Sequence, residues 1–147
     1  MEHKFTQTRY GVQICHVSLF LLYLCVFSQH QAAVKGMAWC PWQSRLLATG
    51  GGTSDRTVRI WNMNTGECSY SVDTKSQVSG IFWNSEYSEI ITSHGIPNHT
   101  LQIWKYPTMN LVRSRIFSLL CNLVINVSMT DTALDGLYSF TLVPNFV

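Results

Sequence analysis

The sequence predicts an all-β protein: an incomplete β-propeller of about two four-stranded blades, with an apolar N-terminal lead and an irregular C-terminal tail. Three observations carry that prediction. Trp39 recurs as Trp83, 44 residues on, and Trp61 recurs as Trp104, 43 residues on. The segment Val34-Lys35-Gly36-Met37-Ala38-Trp39 overlays Val78-Ser79-Gly80-Ile81-Phe82-Trp83, and Leu46 to Trp61 overlays Glu89 to Trp104 with Thr49 meeting Thr92. Within each repeat, short strand-like runs alternate with turn residues. A period of about 40–45 residues that closes on a tryptophan strand is the signature of propeller blades. One such sheet cannot bury both of its own faces, so its neighbours complete the core.

The chain divides by pattern into residues 1–28, an apolar lead; 29–112, the two repeats; and 113–147, a tail without a repeat match. In the lead, no formally charged residue stands between Tyr10 and Val34, and Ser18 to Phe27 is a greasy run behind Lys4 and Arg9. About ten strongly apolar residues resemble a signal-peptide core and fall short of the roughly 18–20 that span a bilayer. In the first repeat, Val34–Trp39 alternates apolar and small residues, Pro41 breaks the run, and Leu46–Thr49 resumes it. Gly50-Gly51-Gly52 reads as a turn, where glycine tolerates backbone angles that other residues resist. Thr57–Trp61 is a third strand with Val58 and Ile60 on one side and Thr57, Arg59 and Trp61 on the other. Asn64-Thr65-Gly66 makes the next turn, and Cys68–Val72 supplies a fourth strand. The order restarts with Val78–Trp83, Ser88–Thr92 and Thr100–Trp104. In the tail, Leu111 to Val127 is rich in Leu, Ile and Val, and periodicity does not separate strand from helix there.

Composition narrows the function by exclusion. Of the 147 residues 46% are hydrophobic and 12% charged, a folding rather than a disordered composition. Ten Lys and Arg against eight Asp and Glu, with no run of like charge, give no footprint for nucleic acid or an acidic membrane surface. The five cysteines, Cys15, Cys25, Cys40, Cys68 and Cys121, are odd in number and scattered, with no metal-ligand spacing, and read as reduced thiols and small buried hydrophobes. The glycine run has no following Gly-Lys-Ser/Thr, so no phosphate loop is expected. No Ser-His-Asp order, carboxylate pair or activated cysteine emerges, and neither an enzyme, a cofactor nor a small-molecule substrate is expected. Four of the five tryptophans sit at repeat-equivalent positions and are explained by packing; Trp42 has no counterpart.

The wording of the turns is more specific than the blade pattern. Cys40-Pro41-Trp42-Gln43-Ser44, Leu47-Ala48-Thr49-Gly50-Gly51-Gly52-Thr53-Ser54-Asp55-Arg56, Ser76-Gln77-Val78 and Ile103-Trp104-Lys105-Tyr106-Pro107-Thr108-Met109 resemble the Fizzy family of WD-repeat activators of the anaphase-promoting complex, in its mitotic cell-division-cycle branch. The resemblance covers about residues 28 to 112, roughly the fifth and sixth of that family's seven blades. It implies a blade network in which a histidine before the first strand, a hydroxyl on the second, a turn aspartate and the third-strand tryptophan are hydrogen-bonded. His30, Thr49, Asp55 and Trp61 fall at those places. A buried indole N–H and imidazole need acceptors, and a hydroxyl and a carboxylate provide them. In the second unit Thr92 and Trp104 remain, Asn98 replaces the aspartate and Thr74 stands where the histidine would be, so that blade is expected to be less rigidly tied. His94 and His99 show no partner pattern.

The resemblance further implies a non-catalytic substrate adaptor of the cytoplasm and nucleus. Its expected partners are anaphase-promoting complex subunits and mitotic proteins bearing KEN-type or destruction-box degrons, with Thr53 and Gln77 holding the KEN-type degron. The Gly-His start of a following blade is missing after Val112, and neither the lead nor the tail matches the family, so the chain reads as a partial or truncated member. Two blades alone are expected to leave an open apolar face at each end. A second reading stays open at this point: a small secreted or membrane-anchored protein with relic repeats, for which Asn98-His99-Thr100 and Asn126-Val127-Ser128 would be glycosylation acceptors.

Overall fold

The computed structural model describes residues 3–8, 11–18, 21–116, 123–126 and 141–144, with side-chain surroundings over 28–116. Every regular element described is a strand. Residues of the lead form an antiparallel sheet, β1 (His3–Thr8), β2 (Gly11–Ser18) and β3 (Leu21–Phe27), in the order β1-β2-β3. No helix among the described residues is long and apolar enough to cross a membrane. Cys15 and Cys25 lie outside the described side chains, and Cys121 outside the described residues.

The first repeat is a four-stranded antiparallel meander of β4 (Val34–Trp39), β5 (Leu46–Gly51), β6 (Thr57–Asn62) and β7 (Glu67–Asp73). The second repeats it with β8 (Val78–Asn84), β9 (Glu89–His94), β10 (Thr100–Lys105) and β11 (Asn110–Ile116). Two differences from the sequence reading have local causes. β5 runs on through Gly50 and Gly51, which pair with Gly36 and Val34, so the turn starts only at Gly52. A strand made of glycine is weak alone, and here pairing with Val34 and Gly36 of β4 holds it. The fourth strand of the second unit passes residue 112 and runs to Ile116, its register held by Leu101↔Arg115 and Thr100↔Ile116. In the tail, β12 (Leu123–Asn126) and β13 (Thr141–Pro144) form an antiparallel pair.

Alternation along the strands gives each blade two apolar faces. Val58 and Ile60 of β6 and Ala48 of β5 point one way and meet Ile90 and Trp104 of the second blade in a single buried cluster with Leu46, Val78 and Trp83. Leu47 and Trp61 point the other way and pack with Val34, Met37 and Trp39. The second blade repeats this: its Trp104 face turns to the first blade, and Ile91, Leu101 and Ile103 turn away from it with Phe82. Burial falls from the inner strands outward. β5 and β9 are buried throughout, whereas β11 is exposed along its length.

Candidate functional site

The structure brings His30, Thr49, Asp55 and Trp61 together. Trp61 Nε1–H donates to Thr49 Oγ1 at 2.7 Å, and the Thr49 hydroxyl lies 2.7 Å from His30 Nε2. His30 Nδ1 meets the Asp55 carboxylate, which also accepts from Thr57 Oγ1 at 2.9 Å. Thr49 accepts from the indole and keeps its own hydrogen to give to Nε2, the arrangement that suits a neutral His30 with its proton on Nδ1 facing Asp55. Burial, the largest influence, holds the His30 imidazole below its ordinary range; Asp55 acts in the opposite sense. The side chains of both are almost wholly buried, so the set ties the lead-in, β5, the turn and β6 into one unit without a free acid or base. Gly51 belongs to it by absence of a side chain: a Cβ there would stand 1.7 Å from Asp55 Oδ2.

The second blade is tied differently. Trp104 Nε1–H donates to Thr92 Oγ1 at 2.9 Å, and Thr92 Oγ1 lies 2.7 Å from Nε2 of His94. His94 sits on β9, two residues after Thr92, and therefore on the same face of the strand. Its Nε2 meets the threonine hydroxyl as that of His30 does in the first blade, but its Nδ1, near the Ser76 and Gln77 backbone, is buried without a hydrogen bond where His30 meets Asp55. Burial pushes the His94 pKa down to about 4 from 6.5. Thr74 is buried and its hydroxyl lies 2.9 Å from both the Arg56 and Ser76 carbonyls, which share its one hydrogen. Asn98 is exposed and takes no part in the network. Its backbone N–H reaches Ser76 Oγ at 3.4 Å. The sequence signal for His94 was the Thr-x-His spacing inside a strand, which a search for a histidine ahead of the first strand passes over.

The seam between the blades is set by glycine and aromatic contacts. A Cβ on Gly50 would lie 2.3 Å from Val78 Cγ1, and one on Gly36 would lie 3.2 Å from the Gly80 backbone, so β4 and β5 can approach β8 only without those side chains. Trp83 Nε1–H donates across the seam to the Ala38 carbonyl at 3.0 Å. At one end of the strands Trp42 packs edge-on against Trp83, with ring centroids 5.3 Å apart, and against Tyr106 at 6.5 Å. That gives the tryptophan without a repeat counterpart a place as the wedge between blades. Cys40 is buried beside this group, and burial raises its thiol pKa, as expected of a packing residue.

At the opposite end of the strands, the turn after β5 and the turn before β8 meet. Thr53 Oγ1–H donates to Gln77 Oε1 at 2.9 Å, joining the two blades on an exposed surface. Thr53 is exposed and Gln77 half-buried. Gln77 is anchored by its backbone, whose carbonyl accepts from Gly95 N–H at 3.0 Å. With Oε1 occupied by Thr53, the Gln77 amide keeps two N–H donors, and the Thr53 oxygen keeps an acceptor position. The pair suits a polar peptide group and lacks the nucleophile or base that chemistry would require. Among the described residues no group of three His, Cys, Asp or Glu side chains is placed to hold a metal ion.

Known proteins resemble this chain in sequence and fold. The family described as WD domain, G-beta repeat matches residues 22–62, which takes in β3 as well as the first three strands of the first blade. The chain is 55% identical over 83 residues to the anaphase-promoting complex subunit cdc20 of Dictyostelium discoideum, a match covering 56% of this chain and 17% of that protein. It is 52% identical over 81 residues to the Arabidopsis thaliana protein cell division cycle 20.1, cofactor of APC complex, covering 55% and 18%. To the WD repeat-containing protein slp1 of Schizosaccharomyces pombe it is 48% identical over 86 residues, covering 58% and 18%. Among solved structures, a chain in a crystal structure of the mitotic checkpoint complex superposes with a TM-score of 0.72 at 35% identity, covering 83% of this chain and 38% of that one. The chain thus spans about a fifth of the length of these curated relatives. Over 81 to 86 residues, then, the chain is similar at about one half identity to proteins named as a subunit and a cofactor of the anaphase-promoting complex and to a WD repeat-containing protein.

Proposed function

We propose that the two blades are part of a substrate-recognition adaptor that activates the anaphase-promoting complex, and that Thr53 and Gln77 hold a KEN-type degron. The observation that carries the site is the Thr53–Gln77 hydrogen bond across the blade seam, which presents a preorganised donor-acceptor pair to solvent. Its support in kind is the likeness to proteins named as a subunit and a cofactor of that complex. In a Lys-Glu-Asn segment the Glu carboxylate and Asn carbonyl are acceptors for the Gln77 amide, and the Asn N–H groups are donors for Thr53. A few exposed hydrogen bonds, each contributing about 1 kcal/mol net, give weak and selective binding of a short peptide, which suits a transient substrate. Cytoplasm and nucleus are the compartments this reading calls for. A destruction box would need parts of a propeller other than these two blades.

The test is fluorescence anisotropy of a labelled KEN peptide titrated with the full chain, against the same peptide with all three residues replaced by Ala. Gln77→Ala and Thr53→Ala should each weaken binding by about 5- to 10-fold, the loss of one or two hydrogen bonds. Equal binding of both peptides, or binding indifferent to both substitutions, rejects the degron role.

A further inference from the structure

The repeat units touch in a fixed manner, with the first strand of one lying against the first and second strands of the one before it. β8 does this to β4 and β5. β12 does the same to β8 and β9. By backbone placement, β12 stands where the first strand of a following blade would stand, and β13 pairs with it antiparallel as a second strand would. The sequence of this pair does not repeat the blades. Leu123-Val124-Ile125-Asn126 and Thr141-Leu142-Val143-Pro144 are short, uncharged and apolar, and Pro144 cannot donate to a ladder.

The face beside which β12 stands is the one the second blade turns away from the first. It carries Ile91, Leu101 and Ile103, yet these are only 2%, 6% and 8% exposed. No third four-stranded sheet is present among the described residues to account for that burial. Repeat arrays need a terminal cap because the last unit otherwise presents its core to water. We propose that the β12–β13 pair is such a cap: an intrachain substitute for the next blade, seated on the Ile91 face of the second blade. The occupant of that face is this chain's own tail, and neither a second copy nor a partner protein is required there. The inference goes beyond the adaptor reading and does not depend on it.

Methyl-labelled full chain, mixed with unlabelled chain, tests it by nuclear Overhauser contacts filtered for a single molecule. Contacts from the Leu123, Val124 or Ile125 methyls to Phe82 or Ile91 within one chain are expected. Strand alternation puts Leu123 and Ile125 on one face and Val124 on the other. Of Val124→Asp and Ile125→Asp, therefore, one should abolish those contacts and speed hydrogen exchange of the Ile91 and Ile103 amides about 10-fold or more, and the other should be silent. If a variant fails to fold, the wild-type contacts still decide. Their absence, their appearance only between copies, or indifference of exchange to both substitutions overturns the cap.

Discussion

Stability should fall when the solution is acidified from pH 7.5 to 5, and His94 should account for a separable part of the fall. Unfolded, its imidazole titrates at about 6.5; folded, burial holds it at about 4. Between those values the unfolded chain binds the proton and the folded chain does not, so acid favours unfolding. The contribution is fully present above pH 6.5, is lost progressively as pH falls from 6.5 toward 4, and changes no further below that. At pH 5 the gap between the two states corresponds to about 1.4 pH units of proton binding, or about 2 kcal/mol at 1.36 kcal/mol per unit. His30, also held low by burial, acts in the same direction. The assay is urea denaturation of the full chain at both pH values, for wild type and His94→Gln. Glutamine offers an oxygen to the Thr92 hydroxyl but has no proton to gain. The variant should lose about 2 kcal/mol less than wild type over the same step. Identical pH dependence in the two proteins would show that His94 does not sit neutral and buried against Thr92, and the second blade's network would have to be redrawn.

Two further substitutions probe the parts that position the site. Thr49→Val keeps the shape of the side chain but strands the Trp61 N–H and His30 Nε2, so it should lower unfolding stability by about 2–4 kcal/mol, whereas Thr49→Ser keeps the hydroxyl and should cost about 1 kcal/mol, both read by urea midpoint. Gly50→Ala places a methyl 2.3 Å from Val78 Cγ1 and should cost about 1–3 kcal/mol by forcing β5 and β8 apart, which calorimetry would register.

Much of the fold was legible because tryptophan spacing and strand alternation are local signals that survive in one sequence. Val58 and Ile60 separated from Trp61 by parity alone, and they do face opposite clusters. Where reading by sequence fell short, the deciding partner lay on another strand or in another blade. Gly50-Gly51 looks like a turn in isolation and is a strand paired with β4; its glycines are needed because Val78 of the next blade crowds Gly50 and Asp55 crowds Gly51. Trp42 had no assignment until Trp83 and Tyr106 appeared beside it. His94 went unrecognised since its role depends on Trp104 and Thr92, from two different strands, converging on it. The tail was illegible for a related reason: β12 has no blade-like sequence, and only its position against β8 and β9 gives it meaning.

The Thr53–Gln77 pair shares that dependence on neighbours. Each residue sits on its own blade, so the hydrogen bond between them exists only at the spacing that the seam enforces. That spacing comes from several contacts at once: the glycine approach of β4 and β5 to β8, the Trp83 bond to the Ala38 carbonyl, and the Trp42 wedge at the far end of the strands. A perturbation of the seam therefore reaches the Thr53–Gln77 pair without touching it, because inter-blade rotation of a few degrees about the Trp42 end moves the Thr53 end by the length of a strand times that angle. For a six-residue strand of about 20 Å, roughly 3° displaces the far turn by about 1 Å, enough to break a 2.9 Å hydrogen bond. Packing of the seam thus sets the Thr53–Gln77 geometry on which the proposed peptide site rests.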